Sequence, residues 1–256
     1  MSWWIPPLLA VQFLTRIPVP SLAKLTAENA KAGLTKSVIW FPVVGALVGA
    51  ITAGTLIAAD QLWPRIIAVI LALIVEARLT GAFHEDAVAD FCDGFGGGMT
   101  PQRIHEIMKD SRIGSYGTLG MGLAVGLRAT LLTALPDTLI LPALLASTAF
   151  GRCLAVCLMA IVPPLVQGGS LAKDIGAQVS ARQWVAASLL TLPFVVPLAM
   201  AVPIPLFTAL VTSLIFAFWF RQFLLRHLGG VTGDCLGFGV YAGQLLILLS
   251  ATATLP

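Results

Sequence analysis

Gln183-Trp-Val-Ala-Ala-Ser-Leu-Leu-Thr-Leu-Pro-Phe-Val-Val-Pro-Leu-Ala-Met-Ala-Val-Pro-Ile-Pro-Leu-Phe-Thr-Ala-Leu-Val-Thr-Ser-Leu-Ile-Phe-Ala-Phe-Trp-Phe220 runs for 38 residues without a charge. A helix needs roughly 20 apolar residues to cross a bilayer, so this stretch holds two crossings that turn near Pro203 and Pro205. The runs Ser37 to Ala59 and Cys235 to Pro256 are also free of charge and long enough to cross. Over all 256 residues 58% are hydrophobic and 11% charged, with a mean hydropathy of +0.93. Soluble domains are about one-quarter charged. The chain therefore reads as an all-α, polytopic integral membrane bundle, a single membrane-embedded domain over residues 1–256.

Seven spans are expected, at 37–59, 66–83, 113–136, 138–162, 183–202, 204–220 and 235–256. The opening stretch to Thr15, with Trp3, Trp4, Pro6 and Pro7, is short for a crossing. It is expected to lie in the interface, where Trp is enriched, or to insert partway. No removable signal peptide is expected, because the N-terminus lacks a basic region and a cleavage site. If 16–36 is cytoplasmic, then so are 84–112, 163–182 and 221–234. These loops hold 11 of the 15 Lys and Arg residues, against Arg65 alone on the other side. Positive residues are retained in the cytoplasm, so the polar loops are expected to face that compartment from a cell (inner) membrane.

Composition excludes several classes. There is no Gly-x-Gly-x-x-Gly fold signature and no basic stripe, so no nucleic-acid partner is expected; lipid is. A net charge of +3 is too small to imply an acidic partner. Cys92, Cys153, Cys157 and Cys235 make no metal-type pair of pairs, so neither a disulfide framework nor a zinc site is expected. Gly45, Gly49, Gly54, Gly120, Gly122 and Gly126 either let helices approach closely or are small residues tolerated in a membrane helix. The oligomeric state, a homo-oligomer included, is left open.

The chemistry concentrates between Glu85 and Asp110, which hold six of the 12 acidic residues. On a helix, Asp86, Asp90 and Asp93 fall within about 60° of one another, and three carboxylates on one stripe repel unless something positive neutralises them. Carboxylates are hard ligands, and Mg²⁺ takes one or two of them together with substrate phosphates. Such a stripe continuing a membrane span is expected to clamp a diphosphate; a solvated acidic face is the plainer alternative. The run Gly96-Gly97-Gly98 would let backbone amides turn towards phosphate. Arg103, Lys109 and Arg112 either grip phosphate oxygens or pair with Glu106 and Asp110. His84 either moves a proton or hydrogen-bonds a carboxylate. Arg16 and Arg226, at other mouths of the same face, bind substrate or lipid headgroups. Arg152, costly inside a span, is expected to face a polar cavity or Asp137.

At these residues the chain resembles the cobalamin synthase (adenosylcobinamide-GDP ribazoletransferase) family. The family's His-x-Asp-Gly-x-x-Asp-x-x-Asp-Gly run stands as His84-Glu-Asp86-Ala-Val-Ala-Asp90-Phe-Cys-Asp93-Gly94. Its Met-x-Asp-Ser-Arg-x-Gly-x-x-Gly run stands as Met108-Lys-Asp110-Ser111-Arg112-Ile-Gly114-Ser-Tyr-Gly117. Phe13-Leu-Thr15-Arg16-Ile-Pro18-Val-Pro20, Phe41-Pro42-Val-Val-Gly45 and Gly229-Gly-Val-Thr232-Gly233-Asp234-Cys-Leu-Gly237 also fit. The likeness spans residues 13 to about 245. Ala87 departs from a usual glycine, and Tyr241 and Gln244 stand where the family often has glutamates. The resemblance implies a Mg²⁺-dependent transferase that joins α-ribazole, or its 5′-phosphate, to adenosylcobinamide-GDP and releases GMP. Asp86, Asp90 and Asp93 would hold the metal. Arg112, with Arg103 or Lys109, would stabilise phosphoryl oxygens, and a carboxylate or His84 would take the proton. Asp110, Ser111, Asp234 and Arg16 would contact substrate.

Three rivals fit less well. A CDP-alcohol phosphotransferase expects Ala-Arg soon after its first Asp-Gly, whereas Asp93-Gly94 is followed by Phe-Gly-Gly-Gly. A prenyltransferase usually shows two Asp-rich motifs, and only one is dense here. A cation transporter would bury acids in several spans, and Glu76 is the sole clear candidate.

Overall fold

Thr26, Thr100, Ser180 and Thr232 each precede a helix and accept a hydrogen bond from an amide of its first turn, satisfying donors that a helix start otherwise leaves unpaired. A computed structural model, which describes residues 2–165 and 179–253, shows the helices that such signals open. They are α1 (Ile5–Leu14), α2 (Ala27–Ser37), α3 (Phe41–Asp60), α4 (Arg65–Thr80), α5 (Phe83–Gly97), α6 (Pro101–Met108), α7 (Ser115–Ala134), α8 (Asp137–Ile161), α9 (Ala181–Ala201), α10 (Pro203–His227) and α11 (Gly233–Thr252). No strand forms among the described residues.

Each expected span falls on a helix: α3, α4 and α7 to α11. Among the described residues six segments are long and apolar enough to cross a membrane, and α4 with α5 makes a seventh only if their 88° bend is one broken span. The protein is thus a multi-pass helical membrane protein. Two expectations need correction. The stripe-bearing segment does not continue the α4 span in line but turns across it. Much of 16–36, expected as loop, is helical: the polar α2 runs through the short 3-10 turn Val38–Trp40 into the apolar α3, making one helical segment from Ala27 to Asp60. The ten-residue α1 is too short to cross, and its Ile5 and Leu9 pack with Leu22. Residues 166–178 of the expected loop 163–182, Lys173 among them, and 254–256 of the last span lie outside the described residues.

α8 is the axis of the bundle and packs against α3, α9 and α11. Lipid supplies no hydrophobic drive between helices, so close backbone approach matters more than in water. A Cβ on Gly49 would stand 2.5 Å from the carbonyl oxygen of Leu144, and one on Gly243 would stand 3.1 Å from Cα of Gly151. Gly45 and Gly120 also face close neighbours, whereas Gly54, Gly122 and Gly126 face open space. The apolar outer faces, with Leu189, Leu214 and Phe218 exposed, suit a lipid surround.

The two ends of the bundle differ. At one, Arg65 binds Asp60 and Asp137 and donates to the carbonyl of Leu135 at 3.2 Å, tying the α3–α4 turn to the α7–α8 turn. At the other, Arg16 N–H donates to Leu79 at 2.7 Å, Gln183 to Thr35 at 2.8 Å and Leu165 to Val231 at 3.0 Å. The basic segments gather at this second end, together with α5 and α6.

Candidate active site

The site is built on the break between α4 and α5. Gly81 and Ala82 are both left-handed, with φ of 75° and 55°. For a non-glycine residue such as Ala82 this conformation is uncommon and costs energy. The guanidinium of Arg16 lies over Gly81 where a Cβ would collide with it, so Gly81 has two reasons to lack a side chain. These residues turn α5 across the end of the bundle.

α5 buries Ala87, Val88, Phe91 and Gly94. Phe91 stacks on Phe238 of α11 at 4.0 Å, and Gly94 accepts the side chain of Met108 from α6. With that face buried, Asp86 is exposed and Asp90 half-buried. Gly237 lies against Ala87, which brings the first turn of α11, and with it Asp234, beside Asp86. The charges of Asp86, Asp234 and Asp93 all bear on Asp90, and those of Asp86 and Lys109 bear on Asp234. Asp234 therefore stands beside the α5 carboxylates as a contribution from a second helix.

Asp93 is placed differently from its stripe partners. It is 9% exposed, its Oδ2 accepts from Gly114 N–H at 2.6 Å and its Oδ1 accepts from Gly117 N–H at 2.8 Å. It caps the start of α7, where unpaired amides and the helix dipole favour a negative charge. Among the described residues no group of three or more His, Cys, Asp or Glu side chains is arranged to hold a metal ion. The donor set at Asp86, Asp90 and Asp234 is nonetheless all hard oxygen, and Mg²⁺ needs only one or two carboxylates when phosphates complete its shell. The residues fit Mg²⁺ in company with a diphosphate, not alone.

The expected phosphate-gripping residues lie in and around α6 with their own partners. Arg112 is 86% exposed and holds Asp110 through Nε at 3.0 Å and Nη2 at 2.6 Å. This guanidinium, with the Arg112 amide, pulls the Asp110 carboxyl down to about 2. Arg103 pairs with Glu106 at 3.1 Å on the exposed face of α6. Ser111 is exposed. Gly96 and Gly97 do not form a phosphate loop: they complete the last turn of α5, and a Cβ on Gly96 would meet the ring of Tyr116. Arg226 is exposed at the end of α10.

His84 is buried in the first turn of α5, its ring 5.4 Å from that of Phe83. Among the described residues no hydrogen bond joins it to a carboxylate; the charges of Arg152 and Arg128 bear on it instead. Arg152 does not meet Asp137, which is engaged by Arg65. It donates through Nη1 to the carbonyl of Thr148 at 3.0 Å. Arg152 and Asp137 lie on one helix 15 residues apart, about 22 Å along its axis. Arg128 and its partner Glu76 were not among the expected site residues. Arg128 Nη2 lies 2.8 Å from both oxygens of Glu76, with Thr52 donating to Glu76 Oε2 at 2.8 Å. Opposite charges inside apolar spans are the signal that marks such a pair.

Fold and site together define a polytopic helical membrane protein whose carboxylates gather beside basic loops at one end of the bundle. The chain belongs to the cobalamin-5-phosphate synthase family, whose model matches residues 6–252. It is 38% identical over 250 residues to the adenosylcobinamide-GDP ribazoletransferase of Vibrio cholerae, covering 97% of this chain and 93% of that one. It is 39% identical over 254 residues to the adenosylcobinamide-GDP ribazoletransferase of Leptothrix cholodnii, with 95% and 91% covered. No solved structure matches it.

Proposed function

We propose that this chain transfers α-ribazole, or its 5′-phosphate, onto adenosylcobinamide-GDP, releasing GMP and forming adenosylcobalamin or its 5′-phosphate. The supporting observation is the gathering of Asp86 and Asp90 from α5 with Asp234 from α11, on which the charge of the exposed Lys109 bears, with Arg103 and Arg112 exposed in the same segment 101–112. Two of the relatives above carry that activity in their names. A carboxylate cluster without enough cations among the described residues to neutralise it suits a substrate that arrives with a divalent ion on its phosphates.

Asp86 and Asp90, with Asp234, would hold Mg²⁺, which when bound neutralises diphosphate oxygens and the charge developing on GMP. Arg112 releases Asp110 and turns to the phosphoryl oxygens, with Lys109 and Arg103 at the rim. A ribose hydroxyl of the ribazole attacks the phosphorus nearer cobinamide. A new P–O bond forms there, the bond from that phosphorus to the bridging oxygen breaks, and GMP leaves with that oxygen. The hydroxyl proton passes to a carboxylate of the cluster. His84, enclosed and facing two guanidinium charges, serves to pack the start of α5. Asp93 holds α5 against α7, so that Asp86 and Asp90 keep their places. Arg16 supports the break between α4 and α5 from which they project.

In this reading the basic end faces the cytoplasm from the inner membrane, where GDP-activated substrates are found. The test is an assay of purified protein in nanodiscs with adenosylcobinamide-GDP, α-ribazole and Mg²⁺. GMP and a corrinoid bearing its lower ligand should appear together and disappear with chelator. Absence of both from folded protein would refute the assignment.

A further inference from the structure

Five helices meet at a buried ionic junction near the acidic residues. Thr52 of α3 and Arg128 of α7 hold Glu76, near the end of α4, through contacts of 2.8 Å. Arg128 also reaches forward: its Nη1 lies 3.7 Å from Oε1 of Glu85, in the first turn of α5. The guanidinium sits 5.6 Å from the ring centre of Tyr241 on α11. Arg128 is 1% exposed and Glu76 3%. One cation thus touches both sides of the bend, α4 before it and α5 after it, and Glu85 is the chain neighbour of Asp86.

The two halves of this junction are unequal. Both oxygens of Glu76 are bonded, whereas Oε2 of Glu85 and Nε of Arg128 are buried without a hydrogen-bond partner among the described residues. At the far end of α5, Asp93 is fixed by two amides. The start of α5 has Glu85 as its polar tether, placed just past a left-handed alanine. Asp86 and Asp90 lie between these two anchors.

We infer that Arg128 is a positioning residue. It grips α4 through Glu76 and aims the start of α5 through Glu85, so that Asp86 and Asp90 face Asp234. It touches neither substrate nor metal and acts through the helix. The inference rests on the reading that Asp86 and Asp90 carry the chemistry.

Two variants and two readouts test it in the full chain in nanodiscs. Glu85→Gln keeps the Arg128–Glu76 pair and removes only the charge that ties α5. Glu76→Gln/Arg128→Met removes the buried pair as a unit and leaves only Glu85, whose side chain is 18% exposed, without its cation. For Glu85→Gln the expected result is a fall in kcat of about tenfold with KM within about twofold. Amide exchange should rise in residues 83–91 and stay unchanged in α7 and α11. The double variant, where it folds, should lose kcat further, and Arg128→Lys should recover part of that loss. Should the double variant not fold, Glu85→Gln decides alone. Unchanged kcat in Glu85→Gln, or exchange rising equally in all helices, would overturn the inference. A wild-type chain that transfers no ribazole would instead refute the functional reading, with the exchange pattern still deciding whether Arg128 holds α5.

Discussion

Gly117 brings its backbone N–H to 2.8 Å from Oδ1 of Asp93, joining α7 to α5. A Cβ on Gly114 or Gly117 would run into that carboxylate, and one on Gly117 would also stand 2.8 Å from the carbonyl oxygen of Ala89. The Arg-x-Gly-x-x-Gly spacing is therefore that of a helix start made to receive a carboxylate from inside the protein. This separates two roles that a single stripe of aspartates had merged.

Asp93→Asn places an NH₂ against an amide N–H and leaves a buried donor unpaired, at a cost of about 1–3 kcal/mol. Gly117→Ala must move backbone and costs about as much or more. Both should lower the thermal unfolding midpoint in nanodiscs. A midpoint equal to wild type in both variants would contradict the capping role.

Asp90→Asn is expected to behave oppositely. It removes one of several like charges, so the folded state should be as stable as wild type or more so. Turnover should fall by more than about a hundredfold, the scale on which charge-stabilising groups act at a reacting centre. Near-normal turnover would take Asp90 out of the site.

Asp110 gives a pH prediction. Arg112 holds its folded-state carboxyl at about 2, below the ordinary value of 3.8. Its contribution to stability is complete above that ordinary value and is lost only as pH falls towards 2. Asp110→Asn should thus leave the shape of the pH–rate profile unchanged between pH 5 and 8. Arg112→Ala should raise KM for adenosylcobinamide-GDP by about tenfold and leave the unfolding midpoint unmoved, because exposed ion pairs contribute little. A new acid limb near pH 6 in Asp110→Asn would contradict this.

Orientation can be read with a membrane-impermeant thiol reagent. Met99→Cys, on the basic end, should be labelled only from the cytoplasmic side, and Trp63→Cys, beside Arg65, only from the other. The reverse pattern would place the carboxylates in the wrong compartment for the proposed substrates.

The spans were legible because a bilayer sets a length and a polarity that local composition must meet, and Gln183 to Phe220 meets both twice over. The acidic stripe was legible from the helical period alone. The turn that carries it was not: Gly81 signals a stop, but nothing in an alanine announces the left-handed conformation of Ala82. Nor could the period tell Asp93 from Asp86 and Asp90, since its partners come 21 and 24 residues later and across a helix–helix contact. Asp234 stood in a glycine-rich run that reads equally well as a turn, and only the approach of Gly237 to Ala87 makes it part of the site. For Arg128 the clue was its charge inside an apolar span. Naming Glu76 as its partner required knowing that α4 and α7 are neighbours.

In the proposed mechanism the carboxylates of Asp86, Asp90 and Asp234 together carry ribazole transfer. The most direct measurement is release of GMP, matched to formation of the corrinoid with its lower ligand, by purified wild type and by the folded Asp86→Asn/Asp90→Asn/Asp234→Asn protein. One GMP per corrinoid product from wild type, dependent on Mg²⁺, and none from the triple variant is the predicted result. Equal product from both proteins would contradict it.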